Sequence, residues 1–263
     1  MNRKRYLLAS LLVVGLLLFA TTGCDSGARV GDLQTKSESI ELGDAETVDV
    51  EIKMGAGELD VSGGADELLE ATYTYNVDEL EPEATYSEGK LIVQHADVKG
   101  GIRTFFDLDD YRNEWDLRFN EDVPMEMNID LGAGRSNLTL GSLALTGLDI
   151  NAGAGDVDVD LSGSQSLTRL DYDMGAGRVT LDLTGNWQQD MDASIDGGVG
   201  ELTLSLPRDV GVRVEVDTGI GSVVTSGLTK DGDTYTNDAY GESDVTLNIE
   251  IDAGVGKINL DVE

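Results

Sequence analysis

The chain has 263 residues and sets 51 acidic against 18 basic side chains, a formal net charge of −33, with one cysteine and one histidine. Such a charge excludes nucleic acid and anionic lipid surfaces as electrostatic partners, because both repel a polyanion. A lone cysteine excludes an internal disulfide, and the length suffices for one large domain.

Residues 1–23 read as a lipoprotein signal peptide. Asn2-Arg3-Lys4-Arg5 is basic, Leu7 to Ala20 is apolar, and Thr21-Thr22-Gly23 places small residues before Cys24. The apolar run is shorter than the roughly 20 residues that a spanning helix needs. Small residues ahead of a single cysteine resemble a bacterial lipobox, in which that cysteine becomes the lipidated N-terminus, although Thr21 stands where lipoboxes usually carry Leu. The alternatives are an ordinary signal cut or an uncleaved anchor, either of which leaves Cys24 inert. Two or three acyl chains on Cys24 would hold the protein at a membrane, each buried methylene adding about 0.8 kcal/mol. Residues 24–42, polar and rich in Ser, Gly and Glu, read as a lipidated tether. Residues 43–263 read as a single domain.

Gly-x-Gly triplets organise that domain. They begin at Gly55, Gly132, Gly153, Gly175, Gly198, Gly219 and Gly254, with spacings of 21, 22, 23, 21 and 35 residues from the second onward. A period near 22 residues signals stacked units. Apolar residues alternate on the approach, as in Val48, Val50, Ile52 and Met54 or Val210, Val212, Val214 and Val216, which is a strand signal. After each triplet the parity flips, as in Leu202, Leu204 and Leu206, and an odd step at glycine marks a bulge or corner. The fold class is therefore all-β: a β-solenoid-like stack of short strands, about 22 residues per rung, with Gly-x-Gly corners. Residues before the first glycine and between the two glycines should both face inward, their sizes compensating from Met54 with Ala56 to Gly197 with Val199 and Ala253 with Val255.

Two outward columns follow. Just after the triplets stand Arg135, Asp156, Arg178, Glu201, Ser222 and Lys257, mostly opposite in sign between neighbours, which favours correct register. Two positions before them stand Asp130, Asn151, Asp173, Asp196, Asp217 and Asp252. Carboxylates about 4.8 Å apart in water repel by roughly 0.9 kcal/mol per pair before screening, so a solvated acidic face is tolerable. The sharper alternative is a weak Ca²⁺ site shared by Asp173, Asp196, Asp217 and Asp252.

Residues 66–125 break the period and concentrate aromatics, among them Tyr73, Tyr75, Phe105, Phe106, Trp115 and Phe119; they read as irregular rungs or a cap over the N-terminal end, with a binding surface as the alternative. Asp231-Gly232-Asp233 reads as a polar turn, since the Asp-x-Asp-x-Asp-Gly order of calcium loops is absent. Catalytic signatures are missing as well. His95 is the sole histidine, no Gly-x-Ser-x-Gly elbow occurs, and the triplets lack the third glycine and following helix of a dinucleotide site.

Met54-Gly55-Ala56-Gly57-Glu58-Leu59, Asn113-Glu114-Trp115-Asp116-Leu117, Ile129-Asp130-Leu131-Gly132-Ala133-Gly134, Leu206-Pro207-Arg208-Asp209-Val210-Gly211-Val212 and Asn237-Asp238-Ala239-Tyr240-Gly241 occur in that order. In this arrangement the chain resembles the toast-rack domain family of bacterial envelope proteins, related to the extracytoplasmic domain of LiaF and to surface adhesins. The resemblance supplies no catalytic residues. It implies an exported, non-enzymatic envelope module acting as a scaffold or adhesin-like binder, with a LiaF-like modulator of envelope stress as the alternative. The expected partners are the membrane, through the lipidated N-terminus, and an unspecified protein or surface ligand.

Overall fold

Alternating apolar residues on both sides of each glycine triplet produce strands that run through the triplet without a break. A computed structural model describes residues 30–43, 46–95 and 110–263; the signal segment, Cys24, Phe105 and Phe106 lie outside them. Seven long strands build the stack: β2 (Val48–Ser62), β7 (Met125–Thr139), β8 (Leu145–Asp160), β9 (Arg169–Asp182), β10 (Met191–Leu206), β11 (Gly211–Ser226) and β14 (Thr246–Val262). Seven shorter strands finish its ends: β1 (Gln34–Ile40), β3 (Leu69–Tyr75), β4 (Pro82–Ser87), β5 (Lys90–His95), β6 (Asn113–Phe119), β12 (Thr229–Asp231) and β13 (Thr234–Thr236). Each long strand bends at its triplet into two legs, so a rung is one bent strand and not two short ones.

The long strands pair in parallel, triplet beside triplet, in the order β2-β7-β8-β9-β10-β14-β11. Sequence order fails at the end, where β14 inserts between β10 and β11. The charge column gives the reason. Across the stack it reads Glu58, Arg135, Asp156, Arg178, Glu201, Lys257 and Ser222, with opposite signs at every step until the uncharged last rung. Arg178 lies 3.6 Å from Asp156 and 3.8 Å from Glu201, and Lys257 lies 3.6 Å from Glu201. These exposed pairs select the order more than they add stability. The 35-residue final spacing is the length of the excursion through β12 and β13 that lets β14 return.

Inside the bend the buried positions pass from Val48, Val50, Ile52 and Met54 to Leu59 and Val61, and this switch repeats along one continuous core. The residue between the glycines does not join it. Val199, Val255 and Ile220 are 56%, 45% and 74% exposed, because the bend turns that position away from the core. The size trade between neighbouring positions is therefore not a core-packing device.

Glycine is required at the corners by the neighbouring rung. A Cβ on Gly132 would lie 1.9 Å from the Gly55 carbonyl oxygen, and one on Gly175 2.2 Å from that of Gly153. At Gly134 the clash with the Gly57 carbonyl oxygen is 1.8 Å and φ is +144°. Gly55, in the terminal rung, meets nothing within 4 Å.

The N-terminal end is closed on both legs. β5 pairs with the first leg of β2 and carries β4, while β6 pairs with the second leg and carries β3 and then β1. Asn113 fastens this cap: its amide donates to the Ala56 carbonyl at 2.6 Å and its side-chain oxygen accepts from the Trp115 indole at 2.8 Å. At the other end the Asn237 amide donates to the carbonyls of Pro207 and Val210, and its side-chain oxygen accepts from the Val212 N–H. β1 falls inside the stretch read as tether, so the folded domain starts earlier than residue 43. Lys36, Glu38 and Ile40 face the sheet, and Glu38 accepts from the Tyr73 hydroxyl and the Ala84 N–H, a polar pattern that apolar alternation does not register.

Gly132→Ala and Gly175→Ala should each cost at least about 3 kcal/mol, because backbone cannot yield as a side chain does, whereas Gly55→Ala should stay within about 0.5 kcal/mol. Thermal and urea unfolding of the three variants checks this; equal losses would contradict the close-approach explanation.

Candidate functional site

Parallel pairing in register turns a sequence position into a column. The residues two before the triplets line up across the stack as Lys53, Asp130, Asn151, Asp173, Asp196, Asp252 and Asp217. Asp173, Asp196, Asp217 and Asp252 are thus brought together, with Asp252 between Asp196 and Asp217. All four are exposed, and none forms an ion pair among the described residues.

This column walls an open groove of about 1020 Å³ that runs across six rungs, from Lys53 and His95 at one end to Asp252 and Gly254 at the other. Met54, Leu131, Ala152, Met174 and Gly197 line it beside the first glycines of the triplets. With rungs about 4.8 Å apart, six of them span roughly 24 Å. At the N-terminal end Lys53 is held by Glu51 at 2.5 Å, so its charge is already spent. Asn151 replaces one carboxylate and donates to Asp130 at 3.2 Å and to Asp149 at 2.9 Å. Burial, together with the neighbouring Asp171, pushes the Asp149 carboxyl above its usual range.

His95 sits at the end of β5, on the strand that carries Leu91 and Val93, and packs edge-on against Trp115 at 4.9 Å between ring centroids. Its Nδ1 lies 2.9 Å from the Leu80 carbonyl, and burial depresses its basicity. Among the described residues that line the groove there is no serine, threonine or cysteine beside it, and the carboxylates there are the aspartates of the column. Nor do the aspartates form a cage: among the described residues no three His, Cys, Asp or Glu side chains converge closely enough to hold a metal ion. Single carboxylates on the successive rungs of Asp173, Asp196, Asp252 and Asp217 make a ladder, whereas Ca²⁺ takes six to eight oxygens around one point.

A second feature escaped the sequence. Between the aspartate column and the alternating charge column runs a ridge formed by the residues between the glycines: Ala133, Ala154, Ala176, Val199, Val255 and Ile220 in spatial order. It grows from alanine to exposed branched aliphatics toward β11. The signal was present in the sizes of these residues; what was missing was the direction in which the corner points them.

The model of the N-terminal domain of toast_rack, DUF2154, covers residues 29–168 and 164–205. The chain belongs to the toast-rack family. Among solved structures, a candidate cell adhesion protein from Clostridium sporogenes is 28% identical, with a TM-score of 0.67 over 88% of this chain and 100% of its own. A candidate adhesin from Bacteroides fragilis aligns at 11% identity and a TM-score of 0.36, over 87% of this chain and 97% of its own. No curated protein matches the chain. Within the toast-rack framework the family motifs acquire physical roles: Asn113 and Asn237 pin the ends of the stack, and the Gly-x-Gly motifs let its backbones meet.

The ladder geometry predicts no calcium-specific stabilisation. Calcium and sodium chlorides at matched ionic strength should raise the melting temperature equally, by screening the column. A larger rise with calcium that disappears in Asp196→Asn with Asp217→Asn would contradict the ladder and establish a true site.

Proposed function

We propose that this toast-rack chain is a non-enzymatic, adhesin-like module, exported and held at the cell envelope by lipid on Cys24, that grips an extended cationic partner in its acidic groove. The observation that carries the reading is the groove itself: about 1020 Å³, open along six rungs, and walled by Asp130, Asp173, Asp196 and Asp252, none of which forms an ion pair among the described residues. A groove that sets Asp130, Asp173, Asp196 and Asp252 along its length, with Asn151 interrupting the row, suits an extended ligand that carries several positive charges, such as a lysine-rich strand. The cell-adhesion name of the Clostridium sporogenes protein, 28% identical over its whole length, supports a binding role at a surface. A basic start, a short apolar run and Cys24 support the anchor.

Cys24→Ala should release the protein from the membrane fraction in alkaline extraction. Continued sedimentation with membranes would rule out the lipid anchor.

For the groove, an extended oligolysine peptide titrated by fluorescence anisotropy should bind at least about tenfold more weakly to Asp196→Asn with Asp252→Asn, a loss of about 1.4 kcal/mol. The control removes the same charge elsewhere, in Asp60→Asn with Asp158→Asn, two exposed positions on second legs. Equal weakening in both pairs would reduce the effect to net charge and contradict the groove.

A further inference from the structure

A solenoid of bent strands has four terminal edges, two legs at each end, and three of them are covered. β5 and β6 cover the two legs of β2. β13 covers the first leg of β11 at Arg213, Val214 and Glu215. The second leg, Gly219–Ser226, pairs with β14 on one side and with no strand on the other among the described residues. Its residues are exposed except for half-buried Val223; Ile220 is 74% and Val224 50% exposed.

An open edge normally carries a lysine, a proline or a bulge that keeps other strands away. This one has none. The other six second legs each contain at least one charged residue, whereas Ser222-Val223-Val224-Thr225-Ser226 contains none, and neither does any residue from Thr218 to Thr229. In a chain of net charge −33, the least protected strand is thus the one on the open edge.

We propose that this edge pairs antiparallel with the same edge of a second copy, giving a twofold dimer. Three observations select a second copy as occupant. The edge is a neutral stretch through which two strongly acidic chains can approach without opposing carboxylates. It is also self-complementary: a twofold axis normal to the sheet keeps core-facing residues opposite core-facing ones, which requires paired positions of equal parity. Centred on Val224, that register sets Val224 against itself, Val223 against Thr225 and Ser222 against Ser226, so β-branched side chains meet at the centre of the junction. The cores then adjoin on one side, since Val223 and Thr225 lie beside Ile258 and Leu260 of β14. Finally, the edge strands at the N-terminal end, β1 and β4, carry Lys36, Glu38, Pro82 and Glu83, which keep other strands away, so the assembly closes at two copies and does not grow into a fibre.

The pairing does not depend on the groove or its ligand. Sedimentation velocity of the full-length chain in density-matched detergent should show a dimer that strengthens with salt, because screening relieves repulsion between the two polyanions. Val224→Lys sets two ammonium groups against each other at the axis and should weaken the dimer at least about tenfold, with no change in melting temperature at concentrations where both proteins are monomeric. Val224→Cys, oxidised, should yield a disulfide-linked dimer, whereas Val199→Cys, exposed but away from the edge, should not. A monomer at every concentration to about 100 µM, or a dimer that survives Val224→Lys while Val224→Cys fails to cross-link, overturns the proposal. Asp196→Asn with Asp252→Asn should leave the dimer intact, so loss of groove binding and loss of dimerisation are read separately.

Discussion

Backbone meeting backbone at the glycine corners is the constraint from which the other features of this molecule follow. Where a rung turns, the carbonyl oxygen of one triplet occupies the space that a side chain on the next would need: a Cβ at Gly155 would come within 1.9 Å of the Gly134 carbonyl oxygen, and one at Gly200 within 1.8 Å of that of Gly177. Two rungs shifted by one residue would place Ala176 or Val199 into that contact. The corners therefore set the register as well as permitting the bend. Once register is fixed, every outward position becomes a column, and the aspartate wall, the alternating charges and the aliphatic ridge all inherit their alignment from it.

Charge then decides what glycine leaves open. The corners of β10, β11 and β14 could stack in either order, since all three carry the triplet. Placing β14 in the middle sets Lys257 beside Glu201 and leaves uncharged Ser222 for the outermost rung. Asn259 beside Glu201, then Lys257 and Arg178, hold the Glu201 carboxyl below its usual range, which reflects how that carboxylate is shared between rungs. Asp173, Asp196, Asp252 and Asp217, on the opposite side of the ridge, receive no such partners among the described residues. The same stack thus has one neutralised face and one acidic face, and the acidic face is where a cationic ligand gains most.

Much of this was legible in the amino-acid sequence, for physical reasons that also mark where legibility ended. Period-two alternation and its parity flip identify strands and corners because a buried face must be apolar and a bend must change the face. The pairing of Asp173 with Asp196 follows from the period alone. The insertion of β14 does not, since a local repeat carries no instruction about order, although Glu201 and Lys257 held the clue in their signs. The outward turn of Val199 and Ile220 could not be read from strand parity, which assumes an unbent strand. β1 was hidden because Lys36 and Glu38 face the sheet and satisfy themselves through polar contacts, Lys36 with the Pro82 carbonyl and Glu81, Glu38 with Tyr73. The unprotected edge at Gly219–Ser226 became visible only when three other edges were seen to be covered.

Amide hydrogen exchange across the triplets tests the corner constraint most directly. If close approach of backbones locks the stack, amides of the interior corners from Gly132 to Gly256 exchange as slowly as those of the buried legs and open only with global unfolding. Corners that exchange at the rate of exposed turns while the legs stay protected would contradict that constraint, and would mean that side-chain packing in the legs holds the register instead.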